Sequence, residues 1–261
     1  MAGRRYGGAV SFDVSSEAYT RFMGRYSEPL AVLFADLAQV RRAQRALDVG
    51  CGPGALTAEL VSRLGPEAVC AVEPSEPFVA AVRRRCPGVD VRRTVAEQLP
   101  FGDGVFDVAL AQLVVHFMSD PVAGLREMAR VTRPGGVVGA CVWDHAGGKG
   151  PLTVFWQAVR ELDSAVEDES GLAGAREGHL AQLFGEAGLA DPRATTLTVR
   201  ARYATFGEWW ESFTHGVGPA GSYVASLADE QRIALRERCR QKLAAPFEIS
   251  AMAWAVTGSI S

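Results

Sequence analysis

The segment Asp48-Val-Gly-Cys-Gly-Pro-Gly54 places three glycines and an acidic residue within seven positions. Glycines so spaced let the backbone approach a ligand closely and adopt left-handed dihedral angles. A helix opening behind them would aim free N–H groups and a positive dipole end at a negatively charged ligand group. Glu73 follows about 20 residues on, where a carboxylate can accept both hydroxyls of a ribose. Together they point to a nucleotide-type ligand at a strand–turn–helix junction. The plain alternative is a tight turn with an ordinary capping carboxylate, and Glu73 at this interval argues against it. Gly50-x-Gly52-x-x-Ala55 also satisfies the relaxed nicotinamide fingerprint G-x-G-x-x-G/A. An oxidoreductase therefore stays open on these residues, although Gly54 makes the spacing G-x-G-x-G.

Imidazoles are the other candidates for chemistry, as general bases. His116 follows the apolar run Phe106–Ala111, and His145, beside Asp144, follows Val137–Trp143. Both fall where the carboxyl edge of a parallel sheet faces a ligand crevice. His215 falls in a later helical region. These three are the candidate catalytic residues. His179 sits in a polar helix and receives no role. Cys51 reads as a small turn residue, not a nucleophile, and no His, Cys and carboxylate spacing suggests a metal.

The elements that would position these groups alternate. Ala46–Val49, Ala68–Val72, Val89–Val95, Phe106–Ala111 and Val137–Trp143 read as strands. Ala55–Leu64, Pro77–Arg85 and a segment from Pro121 to Val131 read as helices, the last with Asp120 as N-cap. Arg133-Pro-Gly-Gly136 reads as a turn. Strand–helix alternation with continuous apolar strands predicts a parallel sheet covered on both faces. Before this core, residues 11–40 read as two short helices, the second capped by Ser27 with Pro29 near its start. After it come helices near 151–167, 176–187, 206–214 and 227–244, with strands at Thr195–Arg202 and Phe247–Thr257. Thr205-x-x-Glu208 and Ser226-x-x-Asp229 fit capping signatures.

Composition narrows the function. The 261 residues carry 27 Lys+Arg against 30 Asp+Glu, a net charge of −3, which argues against a broadly basic nucleic-acid surface. No apolar run reaches the ~18 residues of a membrane span. Met1–Val10 lacks the apolar stretch of a secretory signal. Five scattered cysteines form no C-x-x-C pair, so reduced thiols in a cytoplasmic protein are expected.

Five ordered motifs carry a resemblance: Leu47-Asp-Val-Gly-Cys-Gly-Pro-Gly54, Ala71-Val-Glu-Pro-Ser75, Ala96-Glu-Gln-Leu-Pro-Phe101, Phe106-Asp-Val-Ala-Leu-Ala111 and Arg133-Pro-Gly-Gly136. Over residues 45–143 the chain resembles class I S-adenosylmethionine-dependent methyltransferases, and among them the small-molecule group that includes the ubiquinone and menaquinone C-methyltransferases. The resemblance implies an α/β, Rossmann-like, seven-stranded and mostly parallel sheet with one antiparallel strand, here Phe247–Thr257. It implies S-adenosyl-L-methionine as cofactor. Gly50, Cys51 and Gly52 would line its methionine and ribose part, with Asp48 beneath, near the amino group. Glu73 would hold the ribose hydroxyls and Pro74 would pack near the adenine. Ala96 and Glu97 would flank the adenine edge, and Gln112 would lie near the methionyl group. Relatives carry Asp where this chain has Val95, so a backbone carbonyl or Glu97 would have to receive the adenine amino group. Tyr19-Thr-Arg-Phe-Met-Gly-Arg-Tyr-Ser27 looks like the covering helix of such enzymes, with Tyr19 and Arg25 candidates for the methionine carboxylate.

Phe206, Trp209, Trp210 and Phe213 recur at i, i+3, i+4 and i+7, one helical face. Such a face either packs on the core or closes over an acceptor. Trp209, Trp210, Phe213 and Tyr223 are accordingly candidate substrate contacts. The expected layout is one domain: residues 1–44 as a helical cover, 45–145 as the cofactor-binding core, and 146–261 completing the sheet with a helical lid. The expected partner is a small apolar or aromatic methyl acceptor on O, N or C, bound by a monomer or homodimer. A protein that binds S-adenosylmethionine without transferring its methyl group is the further alternative.

Overall fold

In the computed structural model, residues 16–260 are described. Residues 1–15, with the first part of the expected cover, lie outside the described residues. Strands β1 (Ala46–Val49) and β2 (Val69–Val72) are buried at every position, as parallel strands covered on both faces must be. They join β3 (Asp90–Arg92), β4 (Phe106–Gln112), β5 (Thr132–Trp143), β6 (Ala190–Tyr203) and β7 (Phe247–Ser259) in one sheet of order β3-β2-β1-β4-β5-β7-β6. Pairings from β3 to β5 are parallel. β7 runs antiparallel to both β5 and β6. This is the seven-stranded α/β arrangement with a reversed last strand that the sequence implied. Strand order turns back between β1 and β4, and a ligand crevice forms at the carboxyl ends beside such a switch point.

Helices α1 (Ser16–Tyr19) and α2 (Arg25–Leu37) are joined without a break by a wide π-type turn at Thr20–Gly24. Ser27 and Pro29 therefore lie inside α2, not at its start. Pro29 removes one helical donor, but Tyr26, Leu30, Ala31 and Phe34 are buried on one face and hold the helix through it. Helices α3 (Ala55–Leu64), α4 (Glu76–Arg85) and α5 (Pro121–Val131) connect the parallel strands. Asp120 caps α5 as expected, its Oδ1 accepting from Ala123 N at 2.9 Å. Beyond β5 come α6 (Thr153–Leu162), α7 (His179–Glu186), α8 (Phe206–Glu211), α9 (Gly218–Ser226) and α10 (Asp229–Lys242).

Several boundaries differ from the sequence reading. β3 keeps only three residues, because the chain turns off after Arg92 and Thr94 Oγ1 donates to Gln98 O at 2.8 Å. β5 runs through the expected turn at Arg133–Gly136. Thr132 pairs with Phe106 across a register shift, and Gly135 N donates to Ile260 O at 2.8 Å. Helix α9 fills the glycine- and proline-rich stretch between the helices expected near 206–214 and 227–244; Pro219 sits at its start, where a missing N–H costs no helical bond. Thr205 caps α8, accepting from Glu208 N at 3.2 Å. Ser226 does not cap α10. It ends α9 and donates to Tyr223 O at 2.7 Å, while Gln231 Oε1 accepts from Ala228 N at 3.2 Å. Among the described residues no helix is long and apolar enough to cross a membrane. All five cysteines are free and buried.

Candidate active site

A cavity of about 430 Å³ opens at the carboxyl ends of β1, β2 and β4. Tyr19, Asp48, Gly50, Cys51, Gly52, Glu73, Pro74, Ala96, Glu97 and Gln112, all singled out from the sequence, line it together with His116. Its floor is the glycine turn. A Cβ on Gly50 would lie 2.3 Å from Val114 Cγ2, and Gly50 has φ +69°, so only glycine fits there without displacement. Gly52, at φ +52°, has open space where a side chain would stand.

Two carboxylates define the polar character of the cavity. Glu73 is buried at the end of β2, and backbone donors fix it: Gly52 N donates to Oε2 at 2.9 Å and Ser75 N to Oε1 at 3.0 Å. Burial raises its pKa, and these two donors pull it back down. Each oxygen keeps a lone pair for a vicinal diol. Asp48 lies deeper. Thr57 Oγ1 donates to its Oδ2 at 2.6 Å, while Oδ1 is buried with no partner. Burial pushes the Asp48 carboxyl up to about 7.

Gln112 repeats this pattern at the end of β4. Its Nε2 donates to Ser27 O at 2.9 Å, and its Oε1 is buried without a partner. A buried acceptor left unmade costs stability, so these two orphaned oxygens call for a donor from a ligand. The set fits S-adenosylmethionine: Asp48 and Gln112 for the ammonium, Glu73 for the ribose diol, and the glycine turn for the methionyl chain. At the adenine end, the Val95 carbonyl accepts from Gln98 N at 3.2 Å and Glu97 Oε1 accepts from Asp120 N at 3.1 Å. Both groups proposed to replace the missing Asp are thus partly engaged.

A second, smaller cavity of about 30 Å³ shares Tyr19, Leu113, His116 and Phe117 with the first. Its wall also includes Trp143, His145 and Glu169. The structure thus brings His116 and His145 together, with ring centroids 6.1 Å apart. His116 Nδ1 and His145 Nε2 are buried without partners. Burial, aided by His145, holds the His116 pKa well below the usual imidazole range, so its ring is neutral near pH 7.

Other expected site residues lie elsewhere. Arg25 lines neither cavity. Its guanidinium pairs with Glu208, donates to Arg202 O at 2.8 Å and sits 5.0 Å from the Tyr203 ring centroid, so it is not placed for the methionine carboxylate. His215, on the 3₁₀ turn after α8, also lines neither cavity. Trp209, Trp210, Phe213 and Tyr223 are core residues and not a lid face. Phe213 stacks on Phe155 at 4.6 Å with a 6° interplanar angle and meets Phe22 edge-on at 5.6 Å. Trp209 packs against Phe213 at 4.7 Å, and Tyr223 lies 6.0 Å from Trp156. The aromatic period marked burial against α6 and the covering helix. What the insertion does give the small cavity is Val217, Gly218 and Pro219, at the start of α9. The residue that sequence reasoning missed is Glu169, on an isolated 3₁₀ turn with no periodic pattern around it. Among the described residues no cluster of His, Cys, Asp or Glu could hold a metal ion.

Residues 47–139 match the family model described as a methyltransferase domain. Demethylmenaquinone methyltransferase of Mycolicibacterium gilvum is 41% identical over 103 residues, 40% of this chain and 43% of that protein. A 37.1 kDa transposon protein of Streptomyces fradiae is 33% identical over 172 residues, 62% of this chain and 48% of that protein. The chain spans about half the length of the curated relatives it matches. Among solved structures, phosphoethanolamine N-methyltransferase 2 of Haemonchus contortus, in complex with phosphomonomethylethanolamine and S-adenosylhomocysteine, superposes with a TM-score of 0.59 at 17% identity. That likeness covers 95% of this chain and 57% of that one, and it concerns the fold.

Proposed function

We propose that this chain, built on a class I S-adenosylmethionine-dependent methyltransferase domain, transfers the methyl group of that cofactor to a small molecule whose reacting group lies beside His116. The observation that carries the reading is the pairing of orphaned acceptors, Asp48 Oδ1 and Gln112 Oε1, with a backbone-fixed Glu73 across one cavity. In this reading residues 1–44 cover the cofactor, 45–145 bind it, and 146–261 complete the sheet and close the acceptor side. The kinship to the quinone C-methyltransferases rests on a stretch covering 40% of the chain and leaves the acceptor unassigned.

When bound, the cofactor supplies an electrophilic methyl group on a sulfonium whose charge vanishes on transfer. The residues here supply position. Asp48 and Gln112 hold the amino end, Glu73 holds the ribose, and the glycine turn fixes the chain between them. Holding two reactants in line can contribute up to ~7–11 kcal/mol. The aromatic wall around the small cavity excludes water, and a neutral His116 can take a proton from the acceptor.

Calorimetry with S-adenosylhomocysteine and with NAD⁺ tests the assignment. The adenosyl ligand is expected to bind and NAD⁺ to give no heat; the reverse would favour the oxidoreductase reading. Glu73→Ala should weaken S-adenosylhomocysteine binding by roughly 10- to 100-fold, the range for hydrogen bonds to a charged group.

A further inference from the structure

The wall of the small cavity includes a buried carboxylate that no cation among the described residues pairs with. Glu169 is 5% exposed, and its Oε2 accepts from Trp156 Nε1 at 2.8 Å. Among the described residues no Lys, Arg or His pairs with it. One indole N–H does not offset the burial of a charge, and such groups are normally paired. Four aromatic residues, Tyr19, Phe22, Phe117 and Trp143, share its wall, together with His116 and His145. Ring faces attract cations, more strongly when desolvated. The buried His116 Nδ1 and His145 Nε2 have hydrogen-bonding capacity that no protein group meets. A neutral hydroxyl would satisfy one of these nitrogens and leave Glu169 uncompensated. An ammonium group satisfies all three kinds of wall.

We propose that this cavity is the acceptor subsite and that the acceptor is a small primary or secondary amine, bound as its ammonium ion against Glu169. The inference rests on the methyltransferase reading above and names its substrate class. At about 30 Å³ the cavity takes the amino group and not the body of the molecule. One ammonium N–H bond breaks and its proton moves to the Glu169 carboxylate it is bound against. The nitrogen keeps that electron pair and uses it for the new N–C bond to the transferred methyl carbon. The pair of the breaking C–S bond stays on sulfur, leaving a neutral thioether. The products are the methylated ammonium ion, the thioether and one proton, which leaves Glu169 for solvent. Trp156 is a positioning residue that orients the Glu169 carboxylate.

The protein saturated with S-adenosylhomocysteine is titrated with benzylamine and phenethylamine, and with the matched benzyl alcohol and 2-phenylethanol. At least one amine is expected to bind 10-fold or more tighter than its alcohol, and Glu169→Gln to erase the difference. Glutamine can still accept from Trp156, so without ligand this variant should melt about 3 °C higher, because an unpaired buried charge is gone. A structural role for Glu169 would lower the melting temperature instead. Alcohols binding as well as amines, no binding by either, an amine preference that survives Glu169→Gln, or a lower melting temperature in that variant would each overturn the proposal. Retained S-adenosylhomocysteine binding would then leave the methyltransferase reading standing; its loss in the unmutated protein would remove both.

Discussion

The wall of the large cavity and the aromatic cluster of the helical insertion are both buried, yet they are satisfied to different degrees. Asp48 Oδ1 and Gln112 Oε1 reach the interior without partners. The rings of Trp209, Phe213 and Phe155 meet one another at 4.6 to 4.7 Å. Burial alone does not separate a site from a core. Unmet hydrogen-bonding capacity that lines a cavity is the better mark of a site, because an arriving ligand can meet it. By that criterion the insertion's aromatic face, which lines neither cavity, is scaffold for the sheet edge that carries the proposed site.

The sharpest way to break this contrast is to remove a scaffold ring. Phe213→Ala should cost about 3–5 kcal/mol of stability, as large-to-small core substitutions do. The folded fraction should keep its S-adenosylhomocysteine affinity within about twofold. A tenfold loss of affinity in protein that still melts cooperatively would put the cluster back in the site.

A smaller effect is expected at Asp48, with the opposite signature. Burial pushes its carboxyl up to about 7 from the ordinary 3.8, so between these values the folded protein holds a proton that the unfolded chain has released. Stability therefore falls as pH rises from 3.8 to about 7, and Asp48→Asn should remove that slope. An ammonium ligand prefers the ionised carboxylate. S-adenosylhomocysteine affinity should rise tenfold per pH unit below the Asp48 pKa and level off above it. In Asp48→Asn it should be roughly 10-fold weaker near pH 8 and flat with pH, at constant or higher stability. A flat profile in the unmutated protein would sink the ammonium assignment.

The smallest effect sharpens the boundary between the two regions. The Arg25 and Glu208 side chains are 42% and 34% exposed, so Arg25→Ala should cost less than about 1 kcal/mol. Cofactor affinity should not change. A tenfold loss would return Arg25 to the methionine carboxylate.

That the glycine turn and Glu73 share one cavity was legible, because the proposed cofactor chemistry forces local signatures. A backbone that passes close to a ligand favours glycines such as Gly50 and Gly52, and a carboxylate proposed for a ribose falls one βαβ unit later, at Glu73. The fold followed from the same alternation of apolar runs and helices. Of the proposed acceptor half, only His116 and His145 were legible. Trp209 and Phe213 show a helical period whether they face a ligand or Phe155, since periodicity reports burial and not what is buried against. Arg25 stands six residues from Tyr19 in a run read as a single covering motif. Six residues at about 100° each already put the two on different helical faces, and the wide turn at Thr20–Gly24 lies between them with Phe22 packed on Phe213 of the insertion. Glu169 belongs to a short turn whose importance comes from Trp156 and the distant His116, neighbours that only the tertiary structure supplies.

Gln112 has one amide and two obligations. Its nitrogen holds the carbonyl of Ser27 in the covering helix, 85 positions away in sequence, while its oxygen faces the cofactor cavity unmet. A donor arriving at that oxygen polarises the amide and strengthens the bond on its other side. The roof and the occupant thus share a single coupling free energy, and linkage makes it reciprocal: what tightens the grip on the ligand also fastens the roof. Seen this way, the strand-end glutamine is a latch whose spring is the ligand itself.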